Sequence, residues 1–149
     1  MLENHLRLYK SLNSQKVKYL VIGGVAVIHY GVPRATLDLD LFIEDTIPNV
    51  ERCLAALRKA GFKTASMTSV GKILANELTV FEDYVRLDLF TRVKGLGFKE
   101  AWRNRIRKRV KLVPIYFASV EDIVRSKKAT GRKVDLEDIQ TLKSLRPRP

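Results

Sequence analysis

Cysteine is nearly absent from this chain of 149 residues: Cys53 stands alone. That excludes an internal disulfide framework and leads us to expect a reducing compartment, the cytoplasm. Long hydrophobic runs are missing too. The longest, Tyr19 to Tyr30, covers about 12 residues and contains Gly23, Gly24 and His29, short of the roughly 20 that a membrane-spanning helix needs. No basic region leads into a long apolar stretch at the N-terminus, so no secretory signal is expected. No His or Cys cluster is spaced for zinc, and neither a G-x-S-x-G nor a G-K-[ST] signature occurs. There are no repeats and no low-complexity stretch.

Acidic charge is the scarcer sign, and its shortage is uneven. The chain carries 28 Lys plus Arg against 16 Asp plus Glu, a net charge of +12. Residues 1–85 hold 10 basic and 9 acidic side chains, whereas residues 86–149 hold 18 and 7. A basic half joined to a near-neutral half suggests a polyanionic partner such as RNA, DNA or nucleotide phosphates. A solvated, highly charged surface is the plainer alternative.

The length favours one domain with one core. We expect a single domain over residues 1–146 and a disordered tail at 147–149. Leu2, Leu6, Tyr9 and Leu12 recur at helical spacing, predicting a first helix that ends near Asn13-Ser14. Val17 to Ile22 reads as a buried strand ending at Gly23-Gly24, and Val25 to Tyr30 as a helix closed by Gly31 and Pro33. Leu37 to Ile43 alternates like a strand. Pro48 to Ala60 is a helix with proline in its first turn and Gly61 at its end. Leu74 to Val80 and Val85 to Thr91 read as two more strands, Phe98 to Asn104 as a short helix. Arg105 to Phe117 reads as extended, interrupted by Pro114. Ser119 opens a helix that breaks at Gly131, and Leu136 to Leu145 forms the last one. The expected class is α/β (α+β), a small mixed sheet of about four or five strands flanked by helices.

Leu37-Asp38-Leu39-Asp40-Leu41 is the segment with most chemistry. Alternation puts Asp38 and Asp40 on one face and the leucines on the other. Two carboxylates so placed repel unless a cation lies between them, and magnesium takes such hard oxygen ligands together with substrate phosphates. Asp88 lies in a similar strand, Val85 to Leu89. If the two strands are neighbours, three carboxylates can hold two metals. The alternative is that the aspartates simply face solvent. Upstream, the Gly23-Gly24 turn lets backbone approach a phosphate at a helix N-terminus, although tight strand-to-helix turns use glycine for geometry alone. Arg34 can pair with triphosphate oxygens, and Thr36 can cap a turn or support Asp38. His29 reads as structural rather than catalytic.

The run from Gly23-Gly24-Val25-Ala26 through His29-Tyr30-Gly31-Val32-Pro33-Arg34-Ala35-Thr36-Leu37-Asp38-Leu39-Asp40-Leu41 resembles the N-terminal signature of minimal nucleotidyltransferases of the polymerase β superfamily. It is most similar to the branch holding AbiEii-like toxin nucleotidyltransferases and their bacterial relatives. The resemblance implies a small mixed sheet with flanking helices and transfer of a nucleoside monophosphate from an NTP to a hydroxyl, with pyrophosphate released. Asp38 and Asp40 match the metal pair, Asp88 is the candidate third acid, and Gly23 and Gly24 match the phosphate turn. Many relatives carry serine at the second glycine, so one hydroxyl contact is missing here. Downstream, Ser119 to Ile123 followed by Lys127, Arg132, Asp135 and Asp138 resembles the closing region of the same branch. There Lys127 and Arg132 would serve the nucleotide, and Asp135 or Asp138 would orient them. A capped helix start with a surface salt bridge is the structural alternative.

Arg103, Arg105, Arg107, Arg109 and Lys111 alternate, and on one strand they would form a cationic edge, with Phe98 and Trp102 just upstream. Such an edge suits single-stranded RNA, or it guards an edge strand against aggregation. Arg105, Arg107 and Arg109 are the candidate acceptor-binding residues. The expected reaction uses Mg2+ or Mn2+ and a nucleoside triphosphate. By the resemblance, the acceptor is the 3′ end of tRNA and the partner an antitoxin protein; a protein hydroxyl fits the residues equally well. The rival of another class is an inactive module that binds RNA through its basic half.

Overall fold

The computed structural model describes residues 2–32 and 38–145. The predicted tail, Arg34, Thr36 and the Pro33 and Leu37 boundaries lie outside the described residues. Helix α1 (Leu2–Ser14) leads into strand β1 (Tyr19–Ile22), helix α2 (Gly23–His29) and strand β2 (Asp38–Ile43). Helix α3 (Ile47–Lys59), a 3-10 turn at Lys63–Met67 and helix α4 (Val70–Ala75) precede the hairpin of β3 (Leu78–Glu82) and β4 (Arg86–Phe90). Helix α5 (Phe98–Arg103), the hairpin of β5 (Ile106–Val110) and β6 (Val113–Phe117), and helices α6 (Val120–Thr130) and α7 (Lys133–Leu145) complete the fold.

The strands form one six-stranded mixed sheet in the order β3-β4-β2-β1-β6-β5. That is more than the four or five expected, because Arg105 to Phe117 is two strands. Lys111 and Leu112 both adopt positive φ, 48° and 69°, and make a two-residue hairpin turn. Pro114 is tolerated in β6 because β1 pairs with that strand at Val21–Phe117, beyond the proline, and the Pro114 carbonyl accepts from Asn13 Nδ2 instead. Leu74 to Val80 is a second correction. Ser69 caps α4 by accepting from the Lys72 amide, Ile73 is buried beneath it, and the strand starts only at Leu78.

Strand β2 lies near the middle of the sheet, antiparallel to β1 and parallel to β4. Its Leu39, Leu41 and Ile43 are fully buried on the face that α1 and α3 cover; Tyr9 of α1 stacks on Tyr19 there. Buried Asn49 of α3 clips the strand ends together. Its Oδ1 accepts from the Lys18 amide, and its Nδ2 donates to the carbonyls of Lys18 and Glu44. Phe42 on the opposite face packs edge-on against Phe98 of α5. The two faces of β2 thus differ: one seals the core, the other carries the acids. Among the described residues no helix is long and apolar enough to cross a membrane.

Candidate active site

Register brings the acids together. Asp40 of β2 is the direct partner of Asp88 on β4, and Asp38 is the partner of Arg86. Alternation then puts Asp38, Asp40, Arg86 and Asp88 on one face of two adjacent strands. The Asp40 carboxyl is raised to about 6, first by burial and then by the charges of Asp88 and Asp38; Lys127 and Arg132 oppose the shift. Positive charge is in deficit at this point.

Gly23 is required by two features at once. Its φ is +68°, and a Cβ built there would lie 2.1 Å from Asp40 Oδ2. Backbone at the start of α2 therefore lies directly against the Asp40 side chain. Among the described residues no side chain caps that helix start. Gly24 is the second residue of α2. His29 packs on the Phe117 ring, and Lys108 donates to its carbonyl at the other end of the helix. Burial and Lys108 lower the His29 pKa, consistent with a structural role.

The closing helices add a compact ionic knot. Lys127 Nζ lies 3.1 Å from both Asp135 Oδ1 and Asp138 Oδ2. Arg132 donates Nε and Nη2 to the Asp135 carboxylate, and Thr130 donates to it as well. Burial pushes the Asp135 carboxyl up, but the hydrogen bonds from Arg132, Thr130 and Lys127 prevail and bring it down to about 2. Lys127 is buried, whereas the Arg132 side chain is 70% exposed. Both cations act on Asp40, so the knot sits beside the acid face. Lys127 is held by two carboxylates rather than extended as a loose point charge.

Arg86 was missed in the sequence. Its Nε lies 3.1 Å from Asp88 Oδ1 and 3.9 Å from Asp38 Oδ2. The alternation that singled out Asp88 also put Arg86 on the same face and could have found it. Donor chemistry and excess negative charge both fit a divalent cation. As they stand, however, no three His, Cys, Asp or Glu side chains among the described residues close into a group able to hold a metal.

The basic segment differs from expectation. Arg103 belongs to α5, and Arg105 stacks over the Trp102 ring at 4.1 Å while donating to the Trp102 carbonyl. Only Arg107 and Arg109 lie exposed on one face of β5, paired with Tyr116 and Pro114, and Lys111 sits in the turn. β1 and β6 separate this edge from β2, roughly 14 Å at ordinary strand spacing.

A family model described as nucleotidyltransferase of unknown function (DUF6036) matches residues 2–145. No curated protein matches the chain. Among solved structures, the chain is similar to a candidate nucleotidyltransferase of Thermotoga maritima, with a TM-score of 0.62 and 17% identity over 97% of this chain and 93% of that one. It is also similar to an antigenic nucleotidyltransferase-like protein of Paracoccidioides brasiliensis, with a TM-score of 0.59 and 18% identity over 95% of this chain and 74% of that one. At these identities the likeness is one of fold.

Proposed function

The chain belongs to the nucleotidyltransferase family of unknown function DUF6036, and on that premise we propose that it moves a nucleoside monophosphate from an NTP to a hydroxyl in a metal-dependent reaction. The observation that carries this reading is the pairing of Asp40 with Asp88 across two parallel strands, with Asp38 on the same face. The acceptor oxygen would bond to the α-phosphorus as the α–β bridging P–O bond breaks; pyrophosphate leaves and the hydroxyl proton passes to solvent water.

Asp38, Asp40 and Asp88 would hold Mg2+ or Mn2+, which supplies charge neutralisation on the triphosphate and acidifies the acceptor hydroxyl. The backbone at Gly23 and Gly24 would approach phosphate oxygens. Exposed Arg132 would pair with them; Arg34 and Thr36, outside the described residues, are proposed to bind the nucleotide as well. Buried Lys127 would act by its field and by fixing the α6–α7 joint, with Asp135 and Asp138 holding Lys127 and Arg132 in place. Asp88 lies on β4, next to the edge strand β3. Arg107 and Arg109 would bind the body of a polyanionic acceptor, the 3′ end of tRNA being the first candidate. An AbiEii-like toxin role, an antitoxin partner and a cytoplasmic site belong to the same proposal. The second reading, an inactive RNA-binding module, is favoured by Arg86 lying where cations would be expected.

The test is transfer of label from each α-labelled NTP, with Mg2+ or Mn2+, into total RNA and into added protein. Label that vanishes with Asp38→Ala and Asp40→Ala supports the transferase, and the labelled species names the acceptor. No label, with no metal-dependent NTP binding, leaves the RNA-binding module.

A further inference from the structure

Arg86 has no task in the chemistry above, yet among the described residues it forms ion pairs with two of the three acids. Its guanidinium reaches Asp88 at 3.1 Å and Asp38 at 3.9 Å, and its Nη1 lies 3.6 Å from Glu82. Parallel register imposes this position: Arg86 faces Asp38 across the strands, and Asp88 follows two residues later. The guanidinium thus reaches one carboxylate on β2 and one on β4, two of the three that would hold an ion. The three acids do not close into a metal-holding group, and Arg86 is the side chain between two of them.

We infer that Arg86 is a built-in counter-ion of the acid face, competing with a divalent cation for Asp38 and Asp88, so that guanidinium and ion hold these carboxylates in turn. The inference rests on the metal-dependent reading above. An arginine cannot shed its charge, so it must be displaced rather than neutralised. Displacement is easy, because a pair with an arginine 45% exposed is screened by water and weak. A divalent ion has twice the charge and draws hard oxygens to shorter range. The released side chain also has somewhere to go: Glu82, on the exposed edge strand β3, is the cross-strand partner of Arg86. In the free protein the device offsets the charge of Asp38 and Asp88; on loading it exchanges one cation for another.

Two measurements test it, both on the full chain without nucleotide. Mn2+ binding, followed by the paramagnetic resonance of the free ion, compares wild type, Arg86→Lys and Arg86→Gln. Arg86→Gln is expected to bind Mn2+ about tenfold more tightly than wild type, as removing one charge-assisted contact from the carboxylates predicts, with Arg86→Lys between them. Phenylglyoxal modification of wild type, located by mass spectrometry, is expected to speed up at Arg86 when Mn2+ is added. This second measurement decides alone if Arg86→Gln does not fold. Equal or weaker Mn2+ binding by a folded Arg86→Gln, or protection of Arg86 by Mn2+, overturns the inference. The metal-site reading still stands in that case if wild type binds Mn2+ and Asp40→Ala does not. Absence of Mn2+ binding by all three proteins overturns both.

Discussion

The acid face and the basic edge are two regions of one sheet built to opposite standards. On β2 and β4 the charged groups are set by register, partly buried and crowded: Asp40 is raised to about 6, and backbone at Gly23 fits against it with no room for a methyl group. On β5 Arg107 and Arg109 are exposed and share a face, and among the described residues no ion pair fixes their tips. Burying charge is costly unless it is paired, so a sequence retains it where geometry has to be exact to a fraction of an ångström. Exposed charge costs little and can be redistributed. The difference separates a place suited to chemistry from a place suited to holding a large anion.

The comparison predicts a steep ranking of substitutions. Asp40→Asn keeps the shape of the acid face and removes its charge; labelled-NTP transfer is expected to fall by on the order of 10^3-fold or more, since the missing stabilisation of the triphosphate amounts to several kcal/mol. If transfer persists within tenfold of wild type, Asp40 is not part of the machinery. Next comes Lys127→Ala, which leaves Asp135 and Asp138 without their buried ammonium. We expect a loss of about 3–5 kcal/mol in urea unfolding, as for other broken buried pairs. Lys127→Met with Asp138→Leu should recover part of it. A loss below about 1 kcal/mol for Lys127→Ala would mean that the knot is better hydrated than its burial implies.

These two regions were not equally legible in the sequence. Period-two alternation in Leu37 to Leu41 and Val85 to Leu89 is a local signal, and it placed Asp38, Asp40 and Asp88 on strand faces before any fold was known. That β2 and β4 are direct parallel neighbours is a tertiary fact, carried by no local spacing; alternation put Arg86 on the face of Asp88 but could not show that it meets Asp38. The hairpin at Lys111-Leu112 was hidden because its two positive-φ residues are not the glycine or asparagine that announce such turns. Helix α4 was hidden because six residues with three buried or half-buried apolar side chains, Val70, Ile73 and Leu74, are too few to separate the two periodicities. Lys127 was legible as a functional-looking lysine, but its two carboxylate partners lie across a helix joint that depends on how α6 and α7 pack.

Smaller effects sharpen the contrast. Gly23→Ala forces a side chain at φ +68° into Asp40 Oδ2; we expect a loss of about 1–3 kcal/mol in thermal or urea unfolding, accompanied by weaker NTP binding. Gly97→Ala, where nothing lies within 4 Å of a built Cβ, should change stability by less than about 1 kcal/mol. pH gives an independent reading. Asp40 has a folded pKa raised from 3.8 to about 6, so its contribution is fully present below the unfolded value and is lost as pH rises through the folded one. Metal-free protein should therefore lose roughly 2 kcal/mol between pH 4 and 6 after allowance for partial exposure. Asp40→Asn should flatten that slope and be the more stable protein at pH 7. Asp135, lowered to about 2, works in the opposite sense, and its contribution is lost only as pH falls below 4. A flat wild-type profile from pH 4 to 6 would show that Asp40 is better solvated than its surroundings suggest.

The smallest effect on the fold should come from the basic edge, and there the readout has to be binding. Arg107→Ala with Arg109→Ala removes two exposed side chains from an edge strand whose hydrogen bonds to β6 are made by backbone. Stability should change by less than about 0.5 kcal/mol per site, and transfer to a small hydroxyl acceptor should be untouched, because β1 and β6 separate β5 from the acids. If the edge binds a single-stranded polyanion through these two residues, each lost phosphate contact removes roughly 0.7 from the slope of log affinity against log salt. A gel-shift series with RNA from 50 to 200 mM salt should therefore show a slope shallower by about 1.4. An unchanged slope would remove β5 from the acceptor path. The β3 side of the sheet would then be the next candidate for recognising the acceptor: there Asp88 is the nearest of the three aspartates and Val80, its cross-strand partner, is exposed.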